Sequence, residues 1–263
     1  MTTATDSRFT GSVPALYDRC LGPMLFEPYA KDMAVRAAAL RPARVLETAA
    51  GTGIVTAALA RVLPEAEIVA TDLNQAMLDV AAARGLPPRV RLQPADAQDL
   101  PFEDEAFDLL VCQFGVMFFP DRVGAYRQAR RVLRPGGRFL FSVWDSLERN
   151  PVSALLGDTV AARFPDDPPS FYRRVPFGYH DIARIEAELY DAGFEDIAVE
   201  TVSLTSRVDA HAAAIGLCQG SPMGAEIEAR GGDLAAVADA AAEALAPLDG
   251  REMPMSAHVV SAG

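Results

Sequence analysis

The sequence predicts an α/β fold, a parallel sheet flanked by helices and partly covered by a helical and aromatic segment. Three observations predict it. Between residues 43 and 144, short β-branched runs alternate with alanine- and arginine-rich helical stretches, the pattern of parallel strands joined by crossover helices. The first run leads into a Gly-x-Gly turn, Gly51 and Gly53, and acids stand at the ends of the first three strands: Glu47, Asp72 and, just beyond the third, Asp96. At 263 residues and 50% hydrophobic side chains, the chain can bury one large core.

Taken in order, the strands are expected at 44–47, 67–72, 90–93, 107–114 and 138–144. Between them, 52–63 reads as a helix stopped before Pro64. A second helix, 74–84, has Asn74 as N-cap and Gly85 in the C′ position. A third, 121–133, ends in Arg134-Pro135-Gly136-Gly137, a turn into the next strand. The stretch 147–179 is rich in proline and aromatics, Phe164, Phe171, Tyr172, Pro176 and Phe177 among them. It reads as irregular, and as a cover over the carboxyl edge of the sheet. A helix follows at 181–192, closed by Gly193, and then an alternating strand at 197–208. Residues 211–248 read as alanine-rich helix broken near Gly220-Ser221-Pro222 and Gly231-Gly232, and 255–261 as a last strand.

Composition removes several chemistries. With 24 basic and 36 acidic side chains the net charge is −12, which repels nucleic acid and anionic membranes. Lys31 is the only lysine. It follows Ala30, so there is no Walker A loop, and position 27 is Glu27, so there is no Tyr-x-x-x-Lys dyad. A Schiff-base enzyme would have Lys31 as its single choice. Cys20, Cys112 and Cys218 are odd in number and far apart, against a disulfide framework or a Cys-x-x-Cys zinc site, so no metal is expected. The polar segment 1–11 lacks the marks of a secretory leader, and no run approaches the ~18 apolar residues of a membrane helix. A soluble cytoplasmic protein is expected.

Asp72 lies 21 residues beyond Gly51 (72 − 51), close to the ~20 of an acid that grips ribose hydroxyls. Three acids on one sheet edge suit a ligand offering hydroxyls, an exocyclic amine and a cationic ammonium. They suit a pyrophosphate poorly.

The run Val45-Leu46-Glu47-Thr48-Ala49-Ala50-Gly51-Thr52-Gly53 resembles the first motif of class I S-adenosylmethionine-dependent methyltransferases, acid-x-Gly-x-Gly-x-Gly, with Ala49 in place of the first glycine. Ala70-Thr71-Asp72-Leu73 with Met77 and Leu78 resembles the second motif, and Asp96-Ala97-Gln98 with Leu100-Pro101-Phe102 the third. Leu133-Arg134-Pro135-Gly136-Gly137-Arg138 matches the stretch before the fifth strand. The likeness covers about 43–144 and points to the small-molecule group that includes ubiquinone and menaquinone biosynthesis methyltransferases.

The resemblance implies a Rossmann-like parallel sheet with an antiparallel C-terminal strand, and S-adenosyl-L-methionine as cofactor. It implies that Gly51 and Gly53 line the methionine portion beside Ala49, and that Glu47 orients the ammonium. Asp72 would hold the ribose hydroxyls, with Leu73 against the adenine, and Asp96 would accept from the adenine amine next to Ala97; Met77 and Gln98 complete the cofactor-binding set. Gln113 and Phe114 would border the sulfonium. Residues 116–119 would face the acceptor, although Phe118-Phe119 reads equally as packing. The segment from Tyr17 to Tyr29 resembles the family's lid, or is a plain amphipathic helix. One domain, 1–263, then comprises lid helices (1–42), a cofactor-binding core (43–146) and substrate-side covers (147–180 and 209–250).

In-line methyl transfer asks the protein chiefly to align two reactants and exclude water. Where a base is needed, Tyr17, Asp18 and His180 are the candidates, His180 alternatively capping the helix that follows it. The expected partner is a small-molecule acceptor (O, C or N), without nucleic acid or membrane, a homodimer being compatible with all of this. Two alternatives stay open, an NAD(P)-dependent oxidoreductase and a non-catalytic S-adenosylmethionine-binding regulator.

Overall fold

The computed structural model describes Asp6, Phe9 and residues 11–263. Most of the segment 1–11, read above as carrying no leader, lies outside the described residues.

The chain enters through α1 (Val13–Leu16), which runs into a wide π-helical segment, Tyr17–Phe26, and then α2 (Glu27–Leu40). Helix α2 ends where Arg41 turns left-handed (φ +50°) ahead of Pro42. Its buried residues Ala30, Met33, Ala34 and Ala37 recur at helical spacing and form the stripe laid on the sheet.

The core follows as β1 (Arg44–Glu47), α3 (Ile54–Val62), β2 (Glu67–Asp72), α4 (Gln75–Ala82), β3 (Val90–Pro94), β4 (Phe107–Gln113), α5 (Arg122–Val132) and β5 (Leu133–Trp144). The cover is built from α6 (Pro151–Ala162) and α7 (Phe171–Arg174); α8 (Ile182–Asp191) leads to β6 (Ile197–Arg207). Helices α9 (Ala210–Gln219), α10 (Met223–Ala229) and α11 (Leu234–Leu245) precede the last strand, β7 (Glu252–Ala262). The seven strands lie in the order β3-β2-β1-β4-β5-β7-β6, with β7 antiparallel to both neighbours. Strand order reverses between β1 and β4, which makes the crevice at their carboxyl ends the ligand-binding position of such a sheet.

Central strands are buried on both faces, as the near-continuous apolar runs of β2 and β4 require. One face packs on α2 and α3 through Val45, Leu59 and Ile68; the other packs on α5 and α8 through Tyr126, Phe141 and Leu189. Among the described residues no helix is long and apolar enough to cross a membrane.

The expected strands and core helices are present to within a few residues, and three details differ. Residues 134–137 form a bulge inside β5: Phe107 pairs with Leu133 and Leu109 with Arg138, so the Pro-Gly-Gly run loops out between two rungs. Asn74 holds the N-cap position of α4, yet its side chain makes no capping bond and leans on Asp72. The stretch 147–179 is not irregular, because it contains the twelve-residue α6, whose Val152, Leu156 and Val160 are buried four residues apart.

Candidate functional site

Beyond β1 the loop 48–53 is pinned to both neighbouring strands. Thr48 N–H donates to the Val111 carbonyl and Ala50 N–H to that of Thr71, each at 2.9 Å. The chain is left-handed at alternate residues, Ala49 (φ +51°), Gly51 (φ +55°) and Gly53 (φ +78°), which is why the pattern asks for glycine there. Ala49 takes the first of these positions at a cost of about 1–2 kcal/mol. Its methyl fits because residue 115 is glycine: a Cβ there would fall 2.5 Å from that of Ala49. The two glycines serve different ends. A Cβ at Gly51 would meet nothing within 4 Å, since it opens on a cavity, whereas one at Gly53 would stand 2.8 Å from the Ala81 Cβ of α4. Gly53 seats α3 against α4 and does not line the cavity.

That cavity, of about 310 Å³, lies at the carboxyl edge of the sheet. Ala49, Gly51, Asp72, Leu73, Met77 and Asp96 line it, as do Ala97, Gln98, Gln113 and Phe114. Asp72 accepts Gly51 N–H on one carboxylate oxygen and Asn74 N–H on the other, both at 2.8 Å. Burial raises its pKa, against the lowering effect of those donors. Asp96, half-buried, accepts the backbone N–H of Gln98 at 2.8 Å, while the Gln98 side-chain oxygen Oε1 accepts Asp121 N–H at 2.9 Å. Leu73 is 59% exposed at the mouth, an apolar surface open to a flat ligand.

Glu47 borders an adjoining smaller pocket with Gly51, Tyr17 and Gln113. It is buried and accepts the Thr56 hydroxyl at 2.7 Å. Burial, and then the charge of Asp72, push its carboxyl up to about 8, the Thr56 bond opposing them. Gln113 donates its amide to the Phe26 carbonyl at 3.1 Å and leaves its own carbonyl oxygen buried without a partner. An orphan acceptor of this kind costs about 1–3 kcal/mol unless a donor reaches it.

Beside the cavity lies an apolar chamber that shares Phe9, Tyr17, Phe114 and Phe118 with it. Phe114, left-handed at φ +55°, stacks on Trp144 with ring centres 3.9 Å apart and planes within 6°. Phe171, Tyr172 and Phe177 of the cover complete the chamber. Phe118 faces both spaces and Phe119 the cavity alone.

Of the three candidate bases, the structure brings Tyr17 to the site, stacked on Phe26 at 4.7 Å. Burial, with the charges of Asp72 and Asp18, drives its phenol far above the ordinary value, so the free protein carries it protonated. Asp18 is committed to the Thr52 hydroxyl at 2.6 Å and to an ion pair with Arg84. His180 is exposed and lines neither cavity; its Nδ1 donates to the Phe177 carbonyl at 2.8 Å. The cap of α8 is Asp181, which accepts from Ala183 N–H at 3.0 Å, so His180 does not cap that helix either.

Sequence reading missed Thr56, Arg84 and Trp144. Trp144 was open to notice, as the sole tryptophan at the end of the fifth strand. Arg84 carried no signal, because its partners lie 32 and 66 residues away.

A family profile described as a methyltransferase domain matches residues 46–141. The chain is similar to the ubiquinone/menaquinone biosynthesis C-methyltransferase of Idiomarina loihiensis, 42% identical over 121 residues, 44% of this chain and 47% of that protein. It is similar to the protein of the same name from Ectopseudomonas mendocina, 33% identical over 189 residues, 66% of this chain and 73% of that protein. The chain thus spans about half the length of the first of these relatives and nearly three quarters of the second. Among solved structures it resembles the cyclase SpnF, with a TM-score of 0.63 at 22% identity over 95% of this chain and 92% of that one, a likeness of fold.

Proposed function

Since the chain belongs to the class I S-adenosylmethionine-dependent methyltransferases, we propose that it moves a methyl group to a small, planar or apolar acceptor by in-line displacement. The observation that carries this reading is the pair of joined spaces, one edged by carboxylates and one aromatic, meeting at Tyr17 and Phe114. When bound, S-adenosylmethionine supplies an electrophilic sulfonium methyl. The residues present fit it. Asp72 has lone pairs left for ribose hydroxyls, Gly51 leaves room for close approach, and the orphan Gln113 oxygen and Glu47 suit an ammonium.

The chamber has largely aromatic walls, and of the three candidate bases only Tyr17, which burial keeps protonated, lines it. This favours an acceptor that is already nucleophilic on arrival, its proton, if any, passing to solvent. The C-methyltransferase name of the relatives favours carbon over oxygen or nitrogen. A cytoplasmic setting agrees with three free, buried cysteines.

S-adenosylhomocysteine at a hundredfold excess over its Kd is expected to raise Tm by about 5 °C or more, with NAD giving no shift. Absence of any shift with S-adenosylhomocysteine sinks the reading. Methyl consumption over an acceptor panel then separates an enzyme from a regulator that only binds the cofactor.

Glu47 gives this binding a pH dependence. Its carboxyl is protonated in the free protein up to about 8, and an ammonium settling beside it expels the proton. Affinity for S-adenosylhomocysteine should therefore rise with pH, by up to about tenfold per unit, and level off above about pH 8. Glu47→Gln should flatten the profile in calorimetric titrations; an unchanged slope would remove Glu47 from ammonium binding. The same shift has the opposite sign for the unliganded fold. The native state holds a proton that the unfolded chain releases near 4.5, so this group's contribution falls as pH rises from there to about 8.

A further inference from the structure

We propose that Arg84 is a positioning residue that gates cofactor exchange: with Asp18 and Thr52 it clasps the Tyr17-bearing segment over the inner end of the cavity, and the amino-acid part of the cofactor passes when this clasp parts. The inference rests on the cavity being the cofactor site.

Three stretches of chain meet at the clasp. Arg84 stands just beyond α4, and its stem lies across Gly53, where a Cβ would be 3.5 Å from the Arg84 Cδ. Its Nε donates to the Thr52 carbonyl, and its Nη2 pairs with the Asp18 carboxylate. The same carboxylate oxygen accepts the Thr52 hydroxyl at 2.6 Å, which closes a ring of three contacts. The Arg84 and Asp18 side chains are 25% and 28% exposed, so water competes for the pair and the clasp can part.

What the clasp holds down is Tyr17, the residue before Asp18, which lines the cavity, the smaller pocket and the chamber. At the other end of the π-helical segment the Phe26 carbonyl accepts the Gln113 amide at 3.1 Å. Between its ends the segment is packed closely on α9, where a Cβ at Gly216 would fall 2.5 Å from the Leu21 side chain.

The two ends of the cavity differ. Exposed Leu73 marks an open mouth beside Asp72. The smaller pocket, lined by Tyr17, Phe26, Glu47, Thr52 and Gln113 among others, has a volume of about 30 Å³ and no exposed residue in its walls. A nucleoside can settle on Asp72 from the mouth. An ammonium and a carboxylate bound for Glu47 and Gln113 cannot pass a wall closed this tightly, so the segment has to lift, and Arg84 sets how readily it does. The clasp involves no ligand atom. Weakening it therefore quickens entry and exit alike and leaves the affinity as it was.

Surface plasmon resonance on the full chain gives association and dissociation rates for S-adenosylhomocysteine and for 5′-methylthioadenosine, which keeps the nucleoside and lacks the amino acid. Arg84→Met and Asp18→Asn, each shown folded by circular dichroism, are expected to raise both S-adenosylhomocysteine rates about fivefold, the upper reach of a partly exposed ion pair, with Kd within about twofold of wild type. The double variant should be no faster than the quicker single one, because the two changes break one contact. Rates for 5′-methylthioadenosine should stay as in the wild type; a merely distorted glycine loop would disturb both ligands and weaken Kd. Unchanged S-adenosylhomocysteine rates in both variants, a weaker Kd with association unaltered, additive effects in the double variant, or equal acceleration of the two ligands would each overturn the gate. Absence of S-adenosylhomocysteine binding to the wild type would instead overturn the cofactor reading beneath it.

Discussion

Asp72→Ala is expected to weaken S-adenosylhomocysteine binding by about 10²–10⁴-fold while leaving the chain folded. Two hydroxyls donating to a buried carboxylate are worth about 1.5–3 kcal/mol each, which sets the range. The loss is compounded locally, because Gly51 N–H and Asn74 N–H forfeit their acceptors and the turn that shapes the cavity slackens. Asp72→Asn should be nearly as damaging. Each carboxylate oxygen already receives a backbone N–H, so wherever the amide nitrogen is placed it confronts a donor. Calorimetric Kd values for both variants, with circular dichroism as the folding control, check this. A Kd within threefold of wild type for Asp72→Ala would remove Asp72 from the site.

Gly53→Ala should cost about 2–5 kcal/mol of folding stability, read as a lower urea midpoint. The φ of +78° penalises any L side chain by about 1–2 kcal/mol, and the new methyl must push against the Ala81 Cβ from 2.8 Å, an overpacking worth about 1–3 kcal/mol. Gly51→Ala makes the contrast. It meets open space, so only the backbone term applies, yet its methyl enters the cavity where a ligand would lie. One substitution is expected to act on stability and the other on binding; a reversal of the two patterns would show that the roles given to these glycines are wrong.

How much of this could be read from residues depended on the range of the interactions concerned. The first five strands and their helices are set by local signals, β-branched runs, a proline stop at 64 and glycines where φ is positive, so they were legible. The acid at the end of β2 was legible for the same reason, its offset from Gly51 being fixed by one βαβ turn. Helix α6 was not. Gly157 and the β-branched Val152, Thr159 and Val160 weaken its propensity, and what makes it a helix is the burial of positions 152, 156 and 160, a spacing present in the sequence but masked by nearby prolines and aromatics. Tyr17 and His180 show the same divide at the site. Each is a titratable residue near an element boundary, and only the tertiary path of the chain puts one beside Gly51 and Gln113 and turns the other to solvent.

The loop 48–53 is tied to β4 through Thr48, to β2 through Ala50, and to Asp72 through Gly51, all by protein groups alone. The cradle is thus preorganised. Its conformational entropy is lost when the chain folds, not when a ligand arrives, so little of the binding free energy goes to shaping this side of the site. A residue that loosens one of these ties can lower affinity without touching a single ligand atom.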